Sequence, residues 1–114
     1  MKIIKDKITL EELKQMSKKM AGLVKAVVDV EKGILAVDAE LHADEEQLLL
    51  ENGSKQKNLW GINLYPEFSS QDDFIEFDSM INIRPWQNNK SRSVEDENIQ
   101  EKIKGVVNKL IRKD

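Results

Sequence analysis

The only histidine in the sequence, His42, limits any acid–base chemistry that the chain could perform. Histidine is the usual general acid or base because its ordinary pKa lies near neutral pH. Asp44 follows it closely, and Glu76 and Asp78 have the alternate spacing that places two side chains on one face of a strand. One hypothesis is therefore a hydrolase or metal-assisted enzyme, with four candidate catalytic residues: His42, Asp44, Glu76 and Asp78. A serine triad is disfavoured because no Gly-x-Ser-x-Gly motif is present.

A second group of reactive side chains lies in the loop RPWQNNKSRS, residues 84–93. Arg84, Lys90 and Arg92 surround Trp86 there, and the loop leads to the start of the last predicted helix. Free N–H groups at a helix N-terminus attract anions, and arginine beside an aromatic ring suits a carboxylate or phosphate. The alternative is a basic loop that balances the following acids. Because GxxxxGK and GxGxxG motifs are absent, binding of a nucleotide by a standard fold is not expected.

The stretch FIEFDSMINIR, residues 74–84, alternates apolar and polar residues and predicts a strand with one apolar face. Strand parity then places its polar side chains together with those of the preceding strand, NLWGINLYP, on an open sheet face. The favoured hypothesis is a binding module for a small anionic ligand or a protein partner at this face and the 84–93 loop. Its candidate ligand-binding residues are Asn63, Tyr65, Asn82, Arg84, Trp86 and Arg92. The residues alone leave open whether the protein is an enzyme.

The same parity predicts that the open face is acidic. Its carboxylates would be Asp29, Glu31, Asp38, Glu40, Glu76 and Asp78, against Lys25 and Arg84. A solvated face with scattered ion pairs is the favoured interpretation. A site for Mg²⁺ or Ca²⁺ is the alternative, but no aspartate-rich loop motif supports it, so neither a metal nor a cofactor is expected.

Three predicted helices position these residues. Thr9 and Glu12 form a capping box for the first helix, and Gly33 supplies the turn of a hairpin over residues 23–41. Asp44 is expected to cap a second helix, and residues 94–114 form an amphipathic third helix. The sequence therefore predicts a two-layer α+β domain over residues 1–114. It would have a four-stranded, mainly antiparallel sheet with the helices on one face, in the order α-β-β-α-β-β-α.

Composition narrows the function further. The chain has 114 residues, a net charge of −3 and no cysteine, which indicates a single cytoplasmic domain and disfavours binding to nucleic acid. No apolar run is long enough to cross a membrane. A third hypothesis is a homodimer that uses the sheet face or an edge strand and binds no ligand.

Four segments together, LHADEEQLLLENGS, LWGINLYP, FIEFDSMINIRP and NNKSRSVEDENI, resemble a small prokaryotic family of about this length. The similarity spans essentially the whole chain. The family is known only as a domain of unknown function, so the resemblance implies a free-standing domain and assigns no activity, cofactor or site residue.

Overall fold

The computed structural model describes residues 1–70 and 72–113. Ten helices and strands are formed within these residues: β1 (Lys2–Ile4), β2 (Ile8–Thr9), α1 (Leu10–Ser17), β3 (Val24–Asp29), β4 (Ile34–Val37), α2 (His42–Glu51), β5 (Leu59–Leu64), β6 (Ile75–Glu76), α3 (Glu97–Leu110) and β7 (Ile111–Arg112). The α+β class is confirmed. The predicted order omitted β1 and the two short strands β2 and β7.

The main sheet has five strands in the order β1-β4-β3-β5-β6, and every neighbouring pair is antiparallel. The predicted count of four strands was wrong because β1 adds to the edge of β4, with Ile3 opposite Ala36. Strands β2 and β7 form a separate parallel pair, in which Ile8 lies opposite Ile111.

One face of the sheet packs on α1 and α3. Strands β3, β4 and β5 contribute alternate apolar residues to this core, and α1 adds Leu13. The predicted stripe of α3 is confirmed, since Ile103, Val106, Val107 and Leu110 are buried and Ile99 packs against them. Burying such a stripe is the main source of helix stability in water.

The other face of the sheet is covered by α2, so the prediction that all helices lie on one face was wrong. Leu49 of α2 packs on Val27, Ala36 and Leu59, whose side chains point away from α1 and α3. Two helix layers therefore enclose the centre of the sheet. The predicted open face is reduced to the area beyond the N-terminal end of α2.

The first helix start and the hairpin follow local sequence rules, but two predicted helix ends were wrong. The third helix, predicted over residues 94–114, spans only Glu97–Leu110, and the chain continues as β7. The Thr9 hydroxyl accepts a hydrogen bond from Glu12 N–H at 3.1 Å, and Gly33 has a φ of +68° at the hairpin turn, as predicted. Asp44 does not cap α2. The N-cap position is Leu41, whose side chain makes no capping hydrogen bond.

The predicted fourth strand is the largest correction. Only Ile75 and Glu76 pair with β5, and a 3₁₀ turn at Met80–Asn82 replaces the expected continuation. The Ser79 hydroxyl accepts a hydrogen bond from Ile81 N–H at 3.2 Å, which closes this turn. Ser79 also packs against Gly61, where an added Cβ would lie 2.5 Å from the Ser79 Cβ. The chain can approach β5 this closely only because Gly61 has no side chain.

Candidate functional site

Side chains from residues 82–84 occupy the place beside β5 that the predicted strand would have filled. Asn82 is fully buried, and its Oδ1 accepts a hydrogen bond from Gly61 N–H at 2.8 Å. Its Nδ2 donates to the carbonyls of Gly61 and Arg92, both at 3.0 Å. The Asn82 amide thus makes the hydrogen bonds to Gly61 of β5 that a neighbouring strand would otherwise make. It also holds the backbone at residue 92 beside this strand.

Arg84 is also an interior residue. Its side chain is 1% exposed, and the guanidinium donates to the carbonyls of Gln56 and Leu59, both at 2.5 Å. The guanidinium carbon lies 4.1 Å from the centre of the Trp60 ring, a cation–π contact. Burial lowers the pKa of Arg84, and nearby Glu46 raises it.

These contacts correct the predicted placement of Asn82 and Arg84 on an open, ligand-accessible face. Both side chains are buried, so an anion could reach either of them only if the surrounding chain moved. The structure also separates Trp86 from them, because Trp86 is exposed at the tip of a loop. Arg84 and Arg92, both predicted to bind the ligand, are thus not part of one cleft lining: Arg84 is buried and Arg92 lines the cleft described next.

Other predicted residues do meet in one cleft, which has a volume of about 190 Å³. It lies where the N-terminal end of α2 faces the segment that follows β6. Its polar lining includes His42 and Asp78 from the enzyme hypothesis and Asn63 and Arg92 from the binding hypothesis. Lys25 and Ser79, which neither hypothesis used, complete it. Its apolar lining includes Leu41 and Met80, which are 56% and 64% exposed.

His42 is the first residue of α2 and lies against β5. Its Nε2 is 2.7 Å from the carbonyl oxygen of Ile62. Because a carbonyl only accepts hydrogen bonds, Nε2 carries the proton and Nδ1 keeps a lone pair. Burial lowers the pKa of His42, and the Ile62 carbonyl opposes that effect. The lowered pKa favours the neutral ring, whose Nδ1 can accept a hydrogen bond.

Charge in the cleft is positive on balance. Arg92 and Asp78 neutralise each other in an ion pair, with Nε 2.6 Å from Oδ1 and Nη2 3.4 Å from Oδ2. The ammonium of Lys25 has no carboxylate partner within 4.0 Å among residues 1–70 and 72–113. The cleft thus has one cation in excess although the whole chain has a net charge of −3.

Asn63 lines the cleft from β5 and is 7% exposed. Its Nδ2 donates to Glu76 Oε1 at 2.9 Å and to the Asp78 carbonyl at 3.4 Å. Tyr65 donates its hydroxyl proton to the same Glu76 oxygen at 2.9 Å. Because both of these partners are acceptors, the amide end that faces them must be the nitrogen. The other end, Oδ1, has no hydrogen-bond donor among the described residues.

Glu45 lies in the first turn of α2, at the end of the helix that borders the cleft. Its carboxyl group is fully buried, and Oε2 accepts a hydrogen bond from Ala39 N–H at 3.1 Å, whereas Oε1 has no partner among the described residues. Burial raises the pKa of Glu45 to about 9, although Ala39 N–H and Lys25 act in the opposite direction. At neutral pH the group is protonated. It therefore adds no negative charge that would offset the partial positive charge of the helix N-terminus.

The four candidate catalytic residues are only partly brought together. His42 and Asp78 line the cleft, whereas Asp44 is exposed and Glu76 is held by Asn63 and Tyr65. Within the described part of the chain, no group of three or more His, Cys, Asp or Glu side chains could hold a metal ion. None of the helices described there is long and apolar enough to cross a bilayer.

Lys25 and Glu45 were not among the residues predicted for a site. Parity assigned Lys25 to the polar side of the first hairpin strand, but only the pairing of β3 with β5 places it opposite Asn63. Glu45 follows the charged pattern of an exposed helix start. In the structure it is buried and accepts a hydrogen bond from Ala39 N–H in the segment between β4 and α2, and no local pattern indicates that.

Comparisons with known proteins give one finding. Neither the curated proteins nor the solved structures include a match to this chain. The sequence model of one family, described as proteins of unknown function (DUF5674), matches residues 2–110. The match agrees with the resemblance inferred from the sequence, and the chain belongs to the DUF5674 family.

Proposed function

We propose that the protein is a binding module and that the cleft beside the N-terminal end of α2 holds a small carboxylate that also bears a hydroxyl or amino group. One observation carries the proposal. Within the described part of the chain, the buried amide oxygen of Asn63 has no donor, and Lys25, in the same cleft lining, has no ion-pair partner. Buried polar atoms normally have partners, so an unpartnered one indicates a missing hydrogen-bond donor.

The lining defines the chemistry of the ligand. Lys25, Arg92 and the backbone N–H groups at the start of α2 favour a negative charge. Asn63 Oδ1 and His42 Nδ1 are acceptors and require a donor on the ligand. The cleft volume of about 190 Å³ is below the roughly 300–1,000 Å³ of sites for drug-sized molecules, which favours a small ligand.

The site retains Asn63 and Arg92 from the sequence-based hypothesis and adds Lys25 and His42. It does not use Asn82, Arg84 or Trp86. Tyr65 acts indirectly, because it helps to hold the Glu76 carboxylate that orients the Asn63 amide. The hydrolase and homodimer hypotheses have no comparable observation in their favour.

A matched pair of small anions tests the proposal. Glycolate and acetate differ by one hydroxyl group, so we expect glycolate to raise the melting temperature of the protein more than acetate at equal concentration. Lys25→Gln should reduce this stabilisation by glycolate, because it removes the excess cation without adding a charge. Lys55→Gln, at a lysine outside the cleft, is the control and should leave it unchanged.

Two outcomes would contradict the proposal. If glycolate, lactate and glycine stabilise wild type no more than acetate does, the donor requirement is wrong. If Lys25→Gln and Lys55→Gln reduce the stabilisation equally, the anions bind elsewhere or act only through screening.

A further inference from the structure

The loop between Arg84 and Asn89 carries the most exposed large apolar side chain among residues 1–70 and 72–113. Trp86 is 72% exposed. An antiparallel bridge closes the loop, with Arg84 N–H donating to the Asn89 carbonyl at 2.7 Å and Asn89 N–H donating to the Arg84 carbonyl at 3.1 Å. Inside it, Gln87 N–H donates to the Arg84 carbonyl at 2.9 Å. The backbone of the loop is therefore held in one conformation.

Buried side chains fix both ends of this loop to the body of the protein. Arg84 is held by backbone carbonyls near the start of β5, as described above. Asn89 is 3% exposed, and its Nδ2 donates to the carbonyls of Asn82 and Ser93 at 2.8 and 2.7 Å. A single exposed apolar residue is ordinary on a protein surface, but a tryptophan on a loop whose backbone is already held loses less backbone entropy on binding.

A cavity of about 250 Å³ lies next to one contact of the loop, since Lys57 is part of its lining. Its lining includes Lys32, Lys55 and Lys57, and the Gln87 side chain donates to the Lys57 carbonyl at 3.1 Å. None of these lysines forms an ion pair with another described residue. This local positive charge contrasts with the negative charge of the whole chain.

The acids in the same lining offset only part of the lysine charge, because two carboxylates lie with three ammonium groups. Asp29 is 1% exposed, and its Oδ1 accepts hydrogen bonds from the backbone N–H groups of Glu31 and Lys32, both at 2.9 Å. Its Oδ2 accepts one from the Ser54 hydroxyl at 2.6 Å. The hydrogen bonds of the Asp29 carboxylate hold the turn after β3. Glu31 is the exposed acid of the lining, beside three exposed lysines.

We propose that Trp86 and the lysine cavity form one docking surface for an acidic segment of a protein partner. An apolar side chain of the segment would pack on the Trp86 ring, and its carboxylates would pair with Lys32, Lys55 and Lys57. Tryptophan is enriched among residues that dominate binding energy, and complementary charge supplies orientation and a faster encounter. A short acidic segment needs only this local charge, whereas the net charge of −3 repels a long polyanion such as nucleic acid. This surface is separate from the carboxylate cleft.

A random peptide library displayed on phage tests the proposal with the full chain. Selection on wild type with counter-selection on Trp86→Ala should enrich peptides that combine an aromatic or large aliphatic residue with several acids. A synthetic enriched peptide should lose at least about tenfold in affinity on Trp86→Ala. It should lose several-fold on Lys55→Ala/Lys57→Ala, and its affinity should fall as salt is added.

Matched variants separate this surface from general effects. Phe68→Ala removes an aromatic side chain that is 44% exposed outside the loop, and Lys102→Ala removes an exposed lysine of α3. Both should leave peptide affinity unchanged. Thermal unfolding should show that Trp86→Ala stays folded, because the side chain that it removes is solvent-exposed.

Four results would overturn the proposal. The first is that no sequence is enriched over Trp86→Ala, and the second is that the enriched sequences lack acids. The third is Trp86-dependent binding of a single-stranded oligonucleotide. The fourth is self-association that is lost in Trp86→Ala, since the occupant would then be a second copy of the chain.

Discussion

At the scale of single residues, Glu45 makes the strongest prediction about stability. The group has an ordinary pKa of 4.5 and a pKa of about 9 in the folded protein, because burial disfavours its charged form. Between these values the folded state binds a proton that the unfolded state has lost. The contribution of Glu45 to stability is therefore complete below pH 4.5 and declines by about 1.4 kcal/mol for each pH unit up to about 9.

Glu45→Gln should remove this pH dependence, because the amide has a similar shape and does not titrate. We expect the free energy of unfolding of the variant to exceed that of wild type by on the order of 5 kcal/mol at pH 8 and by roughly 1 kcal/mol at pH 5. Urea unfolding at a series of pH values measures both. Glu67→Gln, at an exposed position, should follow the wild-type profile. Parallel profiles for Glu45→Gln and wild type would show that Glu45 is not protonated in the folded state.

At the scale of elements, the contact between Gly61 of β5 and Ser79 explains why the chain departs from a strand after β6. Gly61→Ala places a Cβ 2.5 Å from the Ser79 Cβ and should lower the free energy of unfolding by about 1–3 kcal/mol. Adding Ser79→Gly removes the clashing atoms and should recover part of the loss in a double-mutant cycle of urea-unfolding free energies. Additive losses in the cycle would contradict the proposed contact.

Gly105→Ala is the matched control for that cycle. Gly105 lies within α3, where an added Cβ meets no atom within 4 Å. Alanine favours the helix over glycine, so this variant should be more stable than wild type by about 1 kcal/mol. A loss at this position would mean that alanine substitutions of glycine in this protein act through something other than the local space.

The elements also show what the sequence could and could not predict. The Thr9 cap, the Gly33 turn and the apolar stripe of α3 are local patterns, and each has the predicted form. The stretch FIEFDSMINIR alternates as a strand does, yet its conformation depends on groups that are distant in the sequence. Asn82 and Arg84 satisfy backbone groups of residues 56–61, and alternation cannot indicate such pairing.

At the scale of the whole molecule, a chain of net charge −3 has two separate positive sites. One is the cleft at α2, whose lining includes Lys25. His42 from the enzyme hypothesis and Asn63 from the binding hypothesis lie in the same lining. The other is the lysine cavity near Trp86. The sequence predicted the residue types for an anion site, but Arg84, the residue expected to be central, is instead part of the interior.

The central claim is that a small hydroxy- or amino-carboxylate binds the cleft at the N-terminal end of α2. The most direct measurement is a ¹H–¹⁵N NMR titration of the full chain with glycolate, followed at the backbone amides and at the Asn63 side-chain amide. We expect saturable shifts at His42, Ala43, Lys25 and the Asn63 side chain, with weaker shifts for acetate. Shifts that do not saturate, or that centre on Lys32, Lys55 and Lys57, would contradict it.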